Sequence, residues 1–599
     1  MSLVYAITAF SSISASEQLL DRLADQTPAK SSESTLKEIA NRREWTVLLP
    51  DETSDPLAEL KSSLAAFASP KETKVGVFQL HPQCAYPARY HVLKSALSLQ
   101  YDVECPELNQ WKKSLGAHAV ALIYAAPYLG NPASMFGHTF LKIGSDRSAL
   151  LDIGVSFDAI ARPDSPLVYA IKGLTGGYAG AYSQQPYYEK VQSYSHIEDR
   201  DLWEYDLILS DAQIDQLLNF LWEAASQPSA YFFINKNCSY RLLKLLEAAN
   251  PGWRLSTGSQ FEIMTIPLDT VRELRRVNGI GNVKARPSLL SQLQNRLRDM
   301  DRDRLKDFRR LRDDPTHPKP NEKPEVIDAV LDWQRRFSTT LNLELLEARA
   351  SQTESYIEST NKPPPPELGH GSSKLGASVA NDDGRMDWAI EFRPALHDSL
   401  DRDLGYIPNS TLQLATLSLG IDQKERRVYL DHFIFADLEN LSPLSELARK
   451  PSWHVTADLY RPQDLGCQIC TAAQVRLGLG LSKDLITQHN YELTAFTFAN
   501  GQAEYSESYR DFANTGFRLG PSFEAGLSMR LPNEFKLRAA AEKFYYFPSD
   551  SIAQTSTFSK ITSAISAGYL TYELRVSSEF WILSNRTFIN SKLTLSQYF

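Results

Sequence analysis

The chain has 599 residues, 43% of them hydrophobic and 23% charged, with a formal charge of −9. That length exceeds what one hydrophobic core serves and predicts about three or four folding units. The acidic balance excludes the basic surface that nucleic-acid binding requires, so no nucleic-acid partner is expected. No stretch approaches the ~20 apolar residues of a spanning helix, so any passage through a membrane is by strands.

Residues 1–15 are a short apolar run closed by Ser-Ser-Ile-Ser-Ala15. They lack a positive leading segment, yet read as a secretory signal peptide cleaved after Ala15, with an apolar N-terminal strand as the alternative. Residues 16–115 read as a helical and mixed lead domain, with a helical pattern at Pro56–Phe67 and the segment His81-Pro-Gln-Cys-Ala-Tyr-Pro-Ala-Arg89. Cys84 and Cys105 share this region, and Cys467 and Cys470 are neighbours; in an exported chain each pair is placed for a local disulfide. Cys238 is the one left over. A lone Cys-x-x-Cys lacks the second pair of ligands that structural zinc needs, so neither metal nor cofactor is expected.

Residues 116–275 change character. Ala117–Tyr124 is an apolar run of strand length, Pro132–Gly137 is loop-like, His138–Ile143 reads as a second strand, and Ala149–Phe157 as another. Gly173–Gly180 is glycine-rich but no Gly-Lys-Ser/Thr follows, which predicts a flexible substrate-side loop rather than a phosphate cradle. Asp211–Ala225 is an amphipathic helix, and Asn237 opens another that carries Leu242, Leu243, Leu245 and Leu246.

Cys238 falls in the first turn of that helix, behind a good N-cap residue. Unpaired N–H groups and the positive dipole end favour a thiolate there, and the same N–H groups suit a tetrahedral oxyanion. The alternative is a buried small hydrophobe, the usual state of a free cysteine. A nucleophile also needs a base that titrates near neutrality. Among 11 histidines, His138 has the most suggestive setting, between a small-residue loop and an apolar strand.

Residues 276–362 read as a charged helical connector, with Leu289, Leu293, Leu297, Met300, Leu305, Phe308 and Leu311 at helical steps, followed by Val326, Val330, Trp333 and Phe337. Pro363–Pro366 stiffens the passage into residues 363–599. There the period becomes two. Met386, Trp388, Ile390 and Phe392 alternate with Asp387, Ala389, Glu391 and Arg393, and Val475, Leu477, Leu479 and Leu481 alternate with Gln474, Arg476, Gly478 and Gly480. Similar segments bring the total to about twelve strands, the last ending on Phe599. A soluble sandwich would also alternate; strand length, aromatic content and the final Phe favour an antiparallel outer-membrane β-barrel.

Four blocks carry a family resemblance: Asn131-Pro-Ala-Ser-Met-Phe-Gly-His-Thr-Phe140, Lys172-Gly-Leu-Thr-Gly-Gly-Tyr178, Glu198-Asp-Arg-Asp-Leu-Trp-Glu-Tyr205 and Asn237-Cys-Ser-Tyr-Arg-Leu-Leu243. Over about residues 117–270 the chain resembles the N-terminal periplasmic domain family named after the Lnb lipoprotein transacylase. The lead region and β domain are similar to its Gram-negative members. The resemblance implies a permuted papain-like Cys-His fold, in which histidine precedes cysteine, with Cys238 as acyl-accepting nucleophile and His138 as its base. Asp152, Glu198 and Glu204 are candidates for a third, orienting member. Asn237 and Ser239 are the candidates for helix cap and oxyanion donors.

The expected architecture is thus multidomain α+β: papain-like thiol domain, helical connector and barrel. The expected activity is a cell-envelope thiol acyltransferase or hydrolase, acting on a lipid or lipoprotein acyl group from the outer membrane, with its catalytic domain in the periplasm. Two alternatives remain: a peptidoglycan amidase or peptidase, and a non-catalytic outer-membrane channel or assembly protein.

Overall fold

A computed structural model describes residues 33–49, 54–130, 134–145, 148–160, 165–225, 229–255, 264–319, 321–338, 340–352, 364–424, 426–447, 450–465, 470–488, 491–510, 515–547, 557–569, 571–583 and 586–599. The expected signal peptide, Asn131–Ala133 and Cys467 lie outside them. The chain divides into two bodies: Met1–Ala125 with His138–Arg286, and Ala126–Gly137 with Pro287–Phe599.

The first body opens with helices at Glu33–Ala40, Pro56–Phe67, Pro87–Leu97 and Pro106–Leu115. Three of them begin on proline, whose missing N–H costs nothing in a first turn. Cys84 and Cys105 form the expected disulfide. Cys470 is also disulfide-bonded.

Seven antiparallel strands follow: β1 (Ala119–Ala125), β2 (His138–Gly144), β3 (Ile153–Ala159), β4 (Tyr178–Pro186), β5 (Leu202–Leu207), β6 (Ser229–Tyr231) and β7 (Ile280–Arg286). Their order is β6-β4-β3-β2-β1-β5-β7. Every residue of β2 is buried, so both of its faces are covered, which is why the sequence there does not alternate cleanly. On one face the helix Cys238–Ala249 crosses β2 and β3, and the Asp211–Ala225 helix packs on that helix in turn.

The lead region backs this pair. Ala88 is buried against Val47, Leu48 and Ala248. Gln216 donates to the Ala88 carbonyl, and Glu223 accepts from the Arg89 backbone N–H at 2.9 Å.

The glycine-rich stretch is not the loop expected from its composition. Pro166–Thr175 is a helix and Tyr178 starts β4. A Cβ on Gly173 would meet the Phe233 ring at 2.1 Å and one on Gly180 would meet Phe157 at 2.3 Å; Gly176, at φ +74, stops the helix against Phe232. Close approach of aromatic rings, not mobility, requires these glycines.

In the second body, helices Leu289–Arg298, Arg302–Asp313, Pro324–Phe337 and Leu343–Ala350 share a core of Leu293, Phe308, Leu311, Val326, Val330 and Leu345. Leu447 packs on that core, and Glu446 pairs with Arg309 and Arg312 at 2.9 Å each. The remaining strands are β8 (Lys374–Asp382), β9 (Arg385–Arg393), β10 (Ala395–His397), β11 (Ser410–Asp422), β12 (Arg427–Asn440) and β13 (Ser452–Tyr460). They continue as β14 (Ala472–Gln488), β15 (Tyr491–Tyr505), β16 (Phe517–Arg530), β17 (Phe535–Tyr545), β18 (Thr557–Tyr569), β19 (Tyr572–Ile582) and β20 (Thr587–Tyr598). β20 pairs with β8 and β9 with β11, so twelve strands close an antiparallel barrel while β10 adds a short pairing to β11.

The period-two pattern becomes an inverted surface. Val475, Leu477, Leu479 and Leu481 point outward, each more than half exposed. Inside, Arg476 bridges Glu524 and Glu542 at 3.0 and 2.7 Å, and Arg538 holds Glu439 at 2.8 Å. Phe392 and Phe599 stack at one rim, and Tyr505 and Phe517 meet at a tilt of 48° at the other. An apolar outer band between aromatic rims is what a bilayer demands of a barrel. Among the described residues no helix is long and apolar enough to cross one.

Leu479→Arg should therefore lower barrel stability by about 2–4 kcal/mol, as a cation facing hydrocarbon near the midplane does. The urea midpoint of the protein folded into phospholipid vesicles reads this directly; an unchanged midpoint would contradict a lipid-facing position.

Candidate active site

The site forms where the first residue of β2 meets the first turn of the Cys238–Ala249 helix. Gly137, at φ +88, turns the chain into β2 immediately before His138. Asn237 caps the helix: its Oδ1 accepts from Ser239 N at 3.0 Å and Tyr240 N at 3.3 Å. Its Nδ2 donates to the carbonyls of Phe233 and Thr265, at 3.2 and 2.7 Å. Asn237 is thus the helix cap anticipated from sequence, and the two N–H groups it engages are not free for an oxyanion.

Cys238 is a buried free cysteine, and its thiol interacts directly with the His138 imidazole. Burial by itself would raise the thiol pKa. The charge and hydrogen bond of His138, the Thr139 backbone N–H and the Ser239 hydroxyl outweigh it and hold the thiol down to about 7. Ser239 Oγ lies 3.8 Å from Cys238 Sγ and 2.9 Å from Thr139 Oγ1, so this hydroxyl supports the sulfur from the β2 side. For His138, burial opposes the charged form, but the neighbouring thiolate and Asp158 prevail and its pKa lies above the ordinary imidazole value. The two shifts together favour a thiolate–imidazolium pair.

The far side of the ring faces a carboxylate. His138 Nε2 faces Asp158 Oδ1 at 3.6 Å, a charge contact longer than a hydrogen bond, which leaves Nδ1 for the sulfur. Asp158 also accepts from Ser183 Oγ at 2.9 Å and lies 3.8 Å from Lys190 Nζ. Its position follows from pairing: the register that sets Leu141 opposite Val155 sets His138 opposite Asp158 when carried to the open end of the hairpin. Tyr194 lies against the imidazole, 5.8 Å between centroids, and the Arg200 guanidinium sits 4.8 Å from the centre of that tyrosine ring.

The three sequence candidates for this third role are occupied elsewhere. Asp152 accepts from Ser145 N and Oγ in the β2–β3 turn, at the opposite end of the hairpin. Glu198 pairs with Arg200 at 2.9 Å. Glu204, on β5, is locked between Lys142 Nζ at 2.6 Å and the Tyr187 hydroxyl at 2.8 Å, and these partners hold its carboxyl below the usual range despite burial. All three are framework groups.

Tyr231 is a site residue that sequence reasoning misses. It is buried on β6, with its hydroxyl against both the backbone N–H and the side chain of Cys238. Burial, followed by the nearby Cys238 and Asp158 charges, raises its pKa, so it stays a neutral hydroxyl beside the Cys238 sulfur. The aromatic run Tyr231-Phe-Phe ahead of Asn237 is its only trace in the sequence.

Residues 107–277, which hold all of these groups, match the family model of the Lnb N-terminal periplasmic domain. Residues 363–568 match a domain of unknown function, DUF7840. No curated protein matches the chain. Among solved structures, a loop-deletion form of OmpT, an outer membrane protein of Vibrio cholerae, is 8% identical over 38% of this chain and 97% of its own, at a TM-score of 0.17. OccK11 (OpdR) of Pseudomonas aeruginosa is 12% identical over 39% and 98%, also at 0.17. Likeness at that level assigns no role. A periplasmic domain family in one chain with a closed, outward-apolar barrel fits an outer-membrane protein with a periplasmic domain.

Alkylation of Cys238 by iodoacetamide should rise with pH through a midpoint near 7, because the thiolate alone reacts. In His138→Ala the midpoint should move up toward the ordinary thiol value of about 8.5 or beyond. Asp158→Asn should slow alkylation at pH 7, whereas Asp152→Asn should leave the profile where it was; the reverse order would return the orienting role to Asp152.

Proposed function

On the premise of an Lnb-type periplasmic domain joined to this barrel, we propose that the chain is a cysteine acyltransferase or hydrolase of the cell envelope. The first body is on this reading a permuted papain-like fold, its histidine strand ahead of its cysteine helix in the chain. The observation that carries the reading is the Cys238 thiol held down to about 7 by an imidazole whose other nitrogen faces Asp158.

The chemistry then runs in two balanced halves. Cys238 Sγ attacks an acyl carbonyl, with the developing oxyanion received by the Tyr231 hydroxyl. The carbon–oxygen or carbon–nitrogen bond breaks, His138 gives its proton to the leaving group, and a thioester remains. An amine or water then attacks that thioester while His138 takes its proton, and the thiol is restored.

Apolar surroundings favour an acyl chain as the group carried. Ile160, two residues beyond Asp158, is 61% exposed. The Pro166–Thr175 helix turns Gly173 onto Phe233 and leaves Val168, Ile171 and Leu174 exposed on another side. Phe233 N is hydrogen-bonded to the Gly173 carbonyl, which ties this helix to the chain entering Cys238. Ile197, three residues past Tyr194, adds a further exposed side chain. Such apolar groups suit an acyl chain better than a polar cell-wall peptide.

Cys238→Ser should abolish acyl release from a lipoprotein or phospholipid substrate while leaving the heat-modifiable barrel band on gels unchanged. Mass spectrometry of the trapped adduct decides the substrate: a fatty-acyl mass on Cys238 is expected, and a muropeptide mass would replace the reading with a cell-wall amidase. Tyr231→Phe should lower kcat about 100–1000-fold at little cost in alkylation rate, as loss of one oxyanion donor does. Ile171→Asp with Leu174→Asp should raise KM for long-chain substrates more than for short ones.

A further inference from the structure

The nucleophile helix carries a charged group that the proposed chemistry does not use. Arg241 lies one turn beyond Cys238, and side chains three apart on a helix are neighbours, with about 5–6 Å between their Cβ atoms. Its guanidinium carbon is 5.6 Å from the centre of the Phe157 ring and 5.9 Å from that of Tyr240. Phe157 stacks in turn on Tyr231, 5.6 Å between centroids at 16°, and the Tyr231 hydroxyl meets Cys238. Tyr182, opposite Phe157 in the β3–β4 register, donates to the Arg241 carbonyl at 3.3 Å. One aromatic wall thus runs from the thiol to this cation.

Arg241 has no acid. The withdrawn cations around it are paired: Arg43 with Glu247, Lys142 with Glu204 at 2.6 Å, and Arg200 with Glu198 at 2.9 Å. Asp158, beside the thiol's histidine, is engaged by His138, Ser183 and Lys190. Among the described residues the Arg241 side chain makes neither an ion pair nor a hydrogen bond. Its Nε is enclosed without an acceptor, while the residue as a whole is partly exposed, so the terminal nitrogens form the accessible end. Aromatic faces attract a guanidinium through its charge but leave its in-plane N–H donors unused. A cation drawn out of water calls for an anion, and here the fold supplies none.

We propose that Arg241 receives the phosphate of the acyl donor, which makes that donor a glycerophospholipid rather than a neutral diacylglyceryl group; the proposal rests on the acyl-transfer reading and names its substrate. In such a lipid only the glycerol backbone separates the phosphate from the ester carbonyl. An ester placed on Cys238 Sγ therefore sets the phosphate within reach of a side chain one helical turn away. The non-bridging oxygens match the paired N–H groups of a guanidinium, which a lone ammonium does not reproduce. Arg241 holds the donor and takes no part in the bond changes. The ester carbon–oxygen bond breaks, the acyl group passes to the sulfur, and the lysophospholipid leaves with the proton from His138.

The test mixes the full chain in dodecyl maltoside with dioleoylphosphatidylethanolamine or with dioleoylglycerol, and follows the oleoyl mass on Cys238 by intact-protein mass spectrometry. The phospholipid should load the thiol faster by about tenfold or more, and Arg241→Gln should lower that preference about 10–100-fold, as loss of charge-assisted hydrogen bonds does. Arg241→Lys, which keeps the charge without the fork, should restore only part of it. A Cys238 alkylation midpoint still near 7 in Arg241→Gln shows an intact thiol, whereas a raised midpoint would make Arg241 a support of the thiolate and overturn the proposal. It is also overturned if Arg241→Gln slows both donors alike or leaves the preference unchanged, or if the parent loads equally from both. Loading from neither lipid would defeat the acyl-transfer reading itself, and binding then decides for Arg241. By calorimetry Cys238→Ser should bind dihexanoylphosphatidylcholine, and adding Arg241→Gln should weaken that binding about 10–100-fold; equal binding would remove the phosphate site.

Discussion

Asn237 holds the first body's chemistry together with four hydrogen bonds. Two fix the start of the nucleophile helix and two bind it to the Phe233 and Thr265 carbonyls on either side. Because that amide satisfies the helix start from within, Cys238 N–H is left for Tyr231 and the sulfur is presented to His138 rather than to solvent. A buried thiol would ordinarily remain protonated. Here burial is outweighed because opposite charge and three donors converge on one atom, and their alignment depends on a rigid helix start meeting a rigid strand start.

The two bodies answer to opposite solvents. In the first, apolar residues cover both faces of the central strand and buried polar groups pair off, as Lys142, Glu204 and Tyr187 do. In the second, the charged residues are inside and the leucines outside. No single core could serve both rules, and only strands that close on themselves leave no unpaired edge in a bilayer. The inturned 398–403 segment is tied to the strands around it by the same buried ion pairs, as Asp401 is to Arg575.

Much of the site is legible in the amino-acid sequence. Cys238 stands out as the odd cysteine behind a capping residue, and His138 as a polar ring starting an apolar strand. Asp158 escapes notice because nothing local marks it. Its role comes from a strand register that only pairing reveals, and Asp152, a candidate by its place in the sequence, lies at the wrong end of the same hairpin. Glu204 illustrates the converse: an acidic residue in a family block, buried for the sake of an ion pair. Gly173 and Gly180 suggest mobility by composition, whereas Phe233 and Phe157 demand them for space.

Local pattern determined what depends on neighbours along the chain. The periods of helix and strand, the cap ahead of Cys238, the Cys84–Cys105 proximity and the alternation that makes one strand face apolar all belong to that class. Tertiary structure alone decided what depends on residues distant in sequence. The β20–β8 pairing closes the barrel, Tyr231 reaches the nucleophile from β6, Asp158 stands behind His138, and residues 398–403 turn into the lumen. Backbone periodicity is encoded within a few residues, but the field around a sulfur atom or the lining of a lumen is the sum of groups that only folding brings together.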